Sequence, residues 1–165
     1  MKSDHRNLLL IEDSDEHAEL TSFYISEHRP DINVIRVADG GAAMAYFESV
    51  RNRQQPMPWL CILDLQLPKY DGHEILAAIK TDASLKVVPV VVFTTSAAAK
   101  DIHRALENQA NSVITKPMGA DRYEQAIESI LSYWELNQHH LAIPRSWDTG
   151  ISEIRYKNKR LITDT

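Results

Sequence analysis

Five residues in the sequence could do chemistry together, and each sits at the end of a short strand-like run. Leu8-Leu9-Leu10-Ile11 leads into Glu12-Asp13, Trp59 to Leu63 into Asp64, Val87 to Phe93 into Thr94, and Ser112 to Thr115 into Lys116. Short apolar runs bounded by turn residues suit strands buried on both faces, as in a parallel sheet. In such a sheet the carboxyl ends share one edge, which is where open α/β sheets bind ligands. Three carboxylates crowded there repel one another and need a cation. Oxygen ligands suit a hard divalent ion, and Mg2+ keeps several waters beside one or two carboxylates. A lysine is odd in a pure metal site but makes sense where a phosphoryl group must also be held. The Thr94 hydroxyl can donate to a phosphoryl oxygen. Taken singly, each residue also has a plain structural reading. Asp64 can cap a loop, Glu12-Asp13 can cap a helix, Thr94 can simply end a strand, and Lys116-Pro117 can be a turn. Their order along the chain and their common position set them apart.

The elements that would position them alternate strand and helix five times. After Leu8–Ile11, Ser14 or Asp15 can cap a helix in which Leu20, Phe23 and Tyr24 recur at helical spacing and which Pro30 stops. Ile32–Val37 is a second strand, Asp39-Gly40-Gly41 a turn, and Ala43, Met44, Phe47 and Val50 mark one side of a second helix. A polar connection, Arg51 to Pro58, leads into the central strand. Pro68 ends regular structure, and Asp71-Gly72 can start a third helix with Ile75, Leu76 and Ile79. Pro89 lies near the start of the fourth run, where a missing N–H is tolerable. A less hydrophobic helix covers about Lys100 to Asn108, and Asn111 suits a left-handed turn before the fifth strand. Tyr123, Ile127, Ile130, Leu131 and Trp134 form the clearest amphipathic stripe, on the fifth helix. This alternation implies a parallel sheet with helices on both faces and right-handed crossovers. From about Asn137 to Thr165 it does not continue.

A length of 165 residues suits one domain with an appendage. The net charge of −5 argues against a general nucleic-acid or membrane binder. Cys61 is the only cysteine, so no internal disulfide can form, and its place in the central strand suits a small buried hydrophobe. There is no signal-peptide pattern and no apolar run long enough to cross a bilayer, so a cytoplasmic protein is expected. His139-His140 suit a solvated helix end better than a metal site, because adjacent helical residues do not face each other.

With these residues placed, the sequence resembles the receiver domain of two-component response regulators from about Asn7 to Trp134. The resemblance implies a flavodoxin-like (βα)5 doubly wound sheet of order 2-1-3-4-5, with its site at the switch point between strands one and three. It implies a receiver over 1–136 and a C-terminal extension over 137–165. By the same resemblance Asp64 is the phosphoacceptor, Asp13 a direct Mg2+ ligand, Glu12 an acid acting through water, and the main-chain carbonyl of Gln66 a third protein ligand. Thr94 and Lys116 match the hydroxyl and the lysine that bind the phosphoryl group. The implied donor is a sensor histidine kinase. Val113 departs from the family: many receivers carry an aromatic residue there, three positions before the lysine, which turns inward with the threonine. Gln66 and Ser96 stand where the family adjusts access of the hydrolytic water. Glu12-Asp13-Ser14, Thr94-Thr95-Ser96, Ile114-Thr115-Lys116-Pro117 and the tryptophan ending helix five are similar to stand-alone regulators that serve bacterial phytochromes.

About thirty residues follow Trp134, too few for a winged-helix output domain, so signalling through protein contacts is expected. Tyr133 and Trp134 extend the fifth helix's stripe, and the tail adds Leu141, Ile143, Trp147, Ile151, Ile154, Tyr156, Leu161 and Ile162. That content is unlike a disordered appendage and suggests a homodimer built on helix five and the tail, the alternative being a tail packed on its own domain. Two rival functions remain. A haloacid-dehalogenase-like phosphatase would carry a second aspartate where Gln66 stands. A degenerate receiver that binds partners without phosphorylation would not need the full set of acids, threonine and lysine.

Overall fold

The computed structural model describes residues 6–137. The element order is β1 (Arg6–Ile11), α1 (Asp15–His28), β2 (Ile32–Val37), α2 (Gly40–Arg51), β3 (Leu60–Leu63), α3 (Gly72–Thr81), β4 (Val90–Thr94), α4 (Ala99–Glu107), β5 (Ser112–Thr115) and α5 (Ala120–Leu136). All strand pairs are parallel, in the order β2-β1-β3-β4-β5. This is the flavodoxin-like arrangement expected from the sequence.

β3 and β4 are buried along their whole length, which is why they are unbroken apolar runs rather than alternating ones. Their side chains still divide by the strand's period of two. Leu9, Ile11, Cys61, Leu63, Val90 and Val92 share a core with α2, α3 and α4. Leu8, Leu10, Leu60, Ile62, Val91 and Phe93 share the other with α1 and α5. Three helices open on side-chain caps that satisfy an otherwise orphaned N–H. Ser14 accepts from the N–H of His17 at 3.3 Å, Asp39 from Ala42 at 2.8 Å, and Asp71 from His73 at 3.0 Å. Cys61 is fully buried, and burial pushes its thiol up to about 12, so it is an inert core residue.

Three sequence expectations need correction. Phe23 is 63% exposed, and the buried face of α1 is Ala18, Thr21 and Ile25, with Leu20 and Tyr24 half-buried. A stripe of apolar residues alone passes over Thr21, which can be buried because its hydroxyl pairs with the Tyr123 hydroxyl at 2.9 Å. β4 begins at Val90, after Pro89, not at Val87, which is exposed. The left-handed residue before β5 is Gln109 (φ 66°), not Asn111. The Asn111 side chain accepts instead from the Val90 N–H and from Lys80 Nζ, each at 2.8 Å, and closes the start of β4. The expected stripe of α5 is buried as read, Trp134 included. Tyr133 and Leu136 are the exposed large side chains near its end. His139-His140 and the apolar tail residues lie outside the described residues.

Candidate functional site

Sheet register assembles the site. Ile11 pairs with Leu63, and Thr94 with Thr115. Backbone bonds continue the ladder one step further: Asp64 N–H to the Ile11 carbonyl at 3.0 Å, Glu12 N–H to Val37 at 3.1 Å, and Lys116 N–H to Thr94 at 2.7 Å. Glu12 and Asp64 therefore leave adjacent strands, and Lys116 leaves β5 on the far side of β4, all at one edge of the sheet. Gly72 lets α3 begin directly beneath Asp64. A Cβ there would lie 2.5 Å from both the Asp64 carbonyl oxygen and the Leu65 Cα.

Lys116 Nζ donates to Asp64 Oδ2 at 2.9 Å and to Glu12 Oε2. The three side chains are 2%, 6% and 3% exposed, so their attraction is little screened by water. Burial holds the Glu12 carboxyl above its ordinary value, against the opposing pull of Lys116. The remaining oxygens are also engaged. Glu12 Oε1 accepts from the Ser14 N–H and Asp64 Oδ1 from the Gln66 N–H, both at 3.0 Å. Asp13 is exposed, and its carboxylate has no ion-pair partner among the described residues. Carboxylate oxygens of Glu12, Asp13 and Asp64 lie within 4.8 Å of one another. One ammonium against three carboxylates leaves this edge net negative, and its all-oxygen donor set fits a hard divalent cation.

Thr94 is fully buried, and its Oγ1 accepts from the Ser96 N–H at 3.2 Å. Its side chain is bonded to neither Asp64 nor Lys116. The Gln66 amide oxygen accepts from the Thr95 hydroxyl at 2.8 Å, bridging the loops after β3 and β4. Ser96 Oγ donates to Asp101 at 2.6 Å in the first turn of α4 and holds that carboxyl below its usual range. Val113, without the ring many receivers carry there, packs half-buried against the core beneath α2, α3 and α4.

Two neighbours of the site were missed in the sequence. Arg36, on β2, donates to the carbonyls of Glu12 (3.2 Å) and Asp13 (3.3 Å) and pins the acidic loop. His17 Nδ1 lies 3.1 Å from Lys116 Nζ. One signal could have found it. A helix capped at Ser14 tilts its first side chains back toward its own N-terminus, and hence toward the acidic pair. The range 6–137 contains no helix long and apolar enough to cross a membrane.

Comparison with known proteins agrees with this geometry. The family model described as the response regulator receiver domain matches residues 8–128. The regulatory protein FilR2 of Methanothrix harundinacea is 36% identical over 127 residues, covering 77% of this chain and 82% of FilR2. Response regulator Rcp1 of Synechocystis sp. is 37% identical over 128 residues, 77% of this chain and 87% of Rcp1. The crystal structure of Rcp1 in its Mn2+-bound form superposes with a TM-score of 0.73, at 36% identity over 78% of this chain and 94% of that one. The phosphorylated cyanobacterial phytochrome response regulator RcpA superposes with a TM-score of 0.76, at 34% identity over 81% and 96%. With the fold, the strand-end residues and these relatives in accord, the chain belongs to the response regulator receiver domain family, among relatives that include phytochrome response regulators.

Proposed function

We propose that this protein accepts a phosphoryl group on Asp64 from the phosphohistidine of a sensor kinase, in a two-component phosphorelay. The observation that carries the reading is the Asp64 carboxylate, held by a backbone N–H at one oxygen and by Lys116 at the other. A carboxylate so oriented is a positioned nucleophile. An O–P bond forms as the donor's N–P bond breaks, and the imidazole leaves with the electron pair. Charge spreads over the phosphoryl oxygens, so catalysis is mostly positioning and electrostatics. Lys116 offsets that charge by turning one of its N–H donors from Asp64 to a phosphoryl oxygen. Thr94 receives a hydrogen bond from Ser96, and its own hydrogen has no acceptor among the described residues, which suits it to donate to the same group.

The donor set fits Mg2+, with Asp13, Asp64 and the Gln66 main-chain carbonyl as direct ligands and Glu12 acting through water. When bound, the ion offsets charge on the phosphoryl oxygens. Support comes from the carboxylate cluster and from the Mn2+-bound state of Rcp1. The protein assists its own phosphorylation and dephosphorylation rather than turning over a substrate. Its kinase is a phytochrome or a close functional equivalent, by analogy with RcpA. The receiver spans 1–136, works in the cytoplasm and signals through protein contacts, with 137–165 as a dimerisation arm. A haloacid-dehalogenase mechanism is disfavoured because Gln66 is an amide, bonded to Thr95, where a general acid would stand.

Incubation with acetyl phosphate and Mg2+, followed by intact-mass measurement, tests the reading. One labile phosphoryl group is expected on the unmodified protein and none on Asp64→Asn. A labile adduct on the Asn variant would refute the assignment, as would no adduct on the unmodified protein from either acetyl phosphate or its kinase.

A further inference from the structure

We infer that His17 is a positioning residue for Lys116: its neutral imidazole takes the third ammonium hydrogen through Nδ1 and fixes Nζ for phosphoryl binding. This rests on the reading of Asp64 as phosphoacceptor. A lysine ammonium has three hydrogens to donate and no acceptor. Three acceptors surround Lys116 Nζ: Glu12 Oε2, Asp64 Oδ2 at 2.9 Å and His17 Nδ1 at 3.1 Å. Two donors cannot share a hydrogen bond, so Nδ1 is the bare nitrogen of the ring and its proton sits on Nε2.

The ring is not placed there by chance rotation. It stacks on Tyr123 with centroids 5.4 Å apart and planes 17° from parallel. The Tyr123 hydroxyl in turn bonds Thr21 at 2.9 Å and the His17 carbonyl at 3.3 Å. The His17 N–H is held by the Ser14 cap. Backbone and ring of His17 are thus both fixed by contacts outside the carboxylate cluster, and the Nδ1 lone pair is aimed at Lys116.

The consequence follows from the order of events. On phosphorylation, the Nζ–H that Lys116 now donates to Asp64 Oδ2 must turn to a phosphoryl oxygen. Glu12 and His17 keep the other two hydrogens, so Nζ reorients one bond while two hold it in place. Without His17 the ammonium keeps a single fixed partner during that exchange. Phe93, whose ring centroid is 5.8 Å away, gives no directional substitute.

Two variants of the full chain separate this from a merely structural role. Asparagine places its Oδ1 where Nδ1 stands and so keeps an acceptor without the ring. Phenylalanine keeps the stack on Tyr123 and removes the acceptor. The rate of phosphorylation by acetyl phosphate with saturating Mg2+ is read by intact mass, and Mg2+ affinity by calorimetry. We expect His17→Phe to be slower by about threefold to tenfold, the loss of part of a hydrogen bond to a charged group. His17→Asn should stay within about twofold of the unmodified rate. Mg2+ affinity should be unchanged in both. A Phe variant at full rate, or an Asn variant as slow as the Phe variant, overturns the inference. Long-range 15N NMR of the unphosphorylated protein provides a second test that needs no phosphorylation. The Nε2–H tautomer is expected at His17, and an Nδ1–H tautomer overturns the inference even if Asp64 proves to be the phosphoacceptor. No uptake by the unmodified protein would instead count against the proposed function.

Discussion

Replacing Lys116 with alanine strips Glu12 and Asp64 of their only cationic partner among the described residues, and their side chains are 3% and 6% exposed. Removing one partner of a buried ion pair typically costs about 3–5 kcal/mol. Proton uptake sets a ceiling here. Glu12 is already held above its ordinary value of 4.5 by burial, and neutralising a carboxyl of that ordinary value at pH 7 costs about 3 kcal/mol. A loss of about 3 kcal/mol in the absence of divalent cations is therefore expected, or a fall in melting temperature of about 10 °C for a domain of this size. The pH dependence has a definite sign. In the variant, the folded state binds a proton more tightly than the unfolded chain, so its stability rises as pH falls from neutrality toward the carboxylate range. The deficit against the unmodified protein shrinks accordingly. Mg2+ should narrow it too, because a cation that binds only the folded state adds about 2.7 kcal/mol at a hundredfold excess over Kd, and the variant has lost a positive neighbour. Melting followed by circular dichroism, with and without Mg2+ at neutral and mildly acidic pH, measures each part. Calorimetry should find Mg2+ affinity retained or tightened, while most of the response to acetyl phosphate is lost. A variant as stable as the unmodified protein without Mg2+ would refute the reasoning, and so would a large loss of Mg2+ affinity.

Other perturbations test neighbouring parts of the same structure. Gly72→Ala would push a Cβ against the backbone of Asp64 and Leu65, and should cost about 1–3 kcal/mol in urea unfolding and slow phosphorylation as well; a variant unchanged in both would show that this contact yields easily. Burial pushes the phenols of Tyr46 and Tyr123 up to about 12. Each should add about 2–3 kcal/mol of stability below its unfolded value near 10, lost as pH rises through 12, and Tyr123→Phe should remove one late step from the phenolate absorbance titration. Light scattering should find the full chain dimeric and a chain ending at Leu136 monomeric, given that Tyr133 (60%) and Leu136 (83%) are exposed on α5. A full chain that stays monomeric at high concentration, phosphorylated or not, would end the dimer proposal, and a truncated form that dimerises equally well would remove the arm from it.

What could be read in the sequence follows from how the sheet is built. The apolar runs of β1 and β3 end where the strands leave the sheet at its carboxyl edge, so the first polar residue after each lies on the ligand edge, buried though it is. That is why Glu12 and Asp64 were legible from one-dimensional pattern alone, and why Lys116, one residue beyond β5, was legible with them. Thr94 was legible by the same pattern, although it is the last residue of its strand rather than the first beyond it. The side chains that hold these groups were harder to read, because their partners lie far away in the chain. His17 meets Lys116 across 99 residues, and Thr21 meets Tyr123 across 102. No spacing rule predicts such pairs, and an apolar-only pattern works against them, since it favours the exposed Phe23 over the buried Thr21. Those two contacts share one cause. The Tyr123 ring brings α5 against α1, satisfies the Thr21 hydroxyl and backs the imidazole of His17. Packing of α5 on α1 thus fixes a hydrogen-bond acceptor for Lys116. Residues that look like ordinary core on α1 and α5 therefore help to set the geometry of the site, and they become visible only once the two helices are placed side by side.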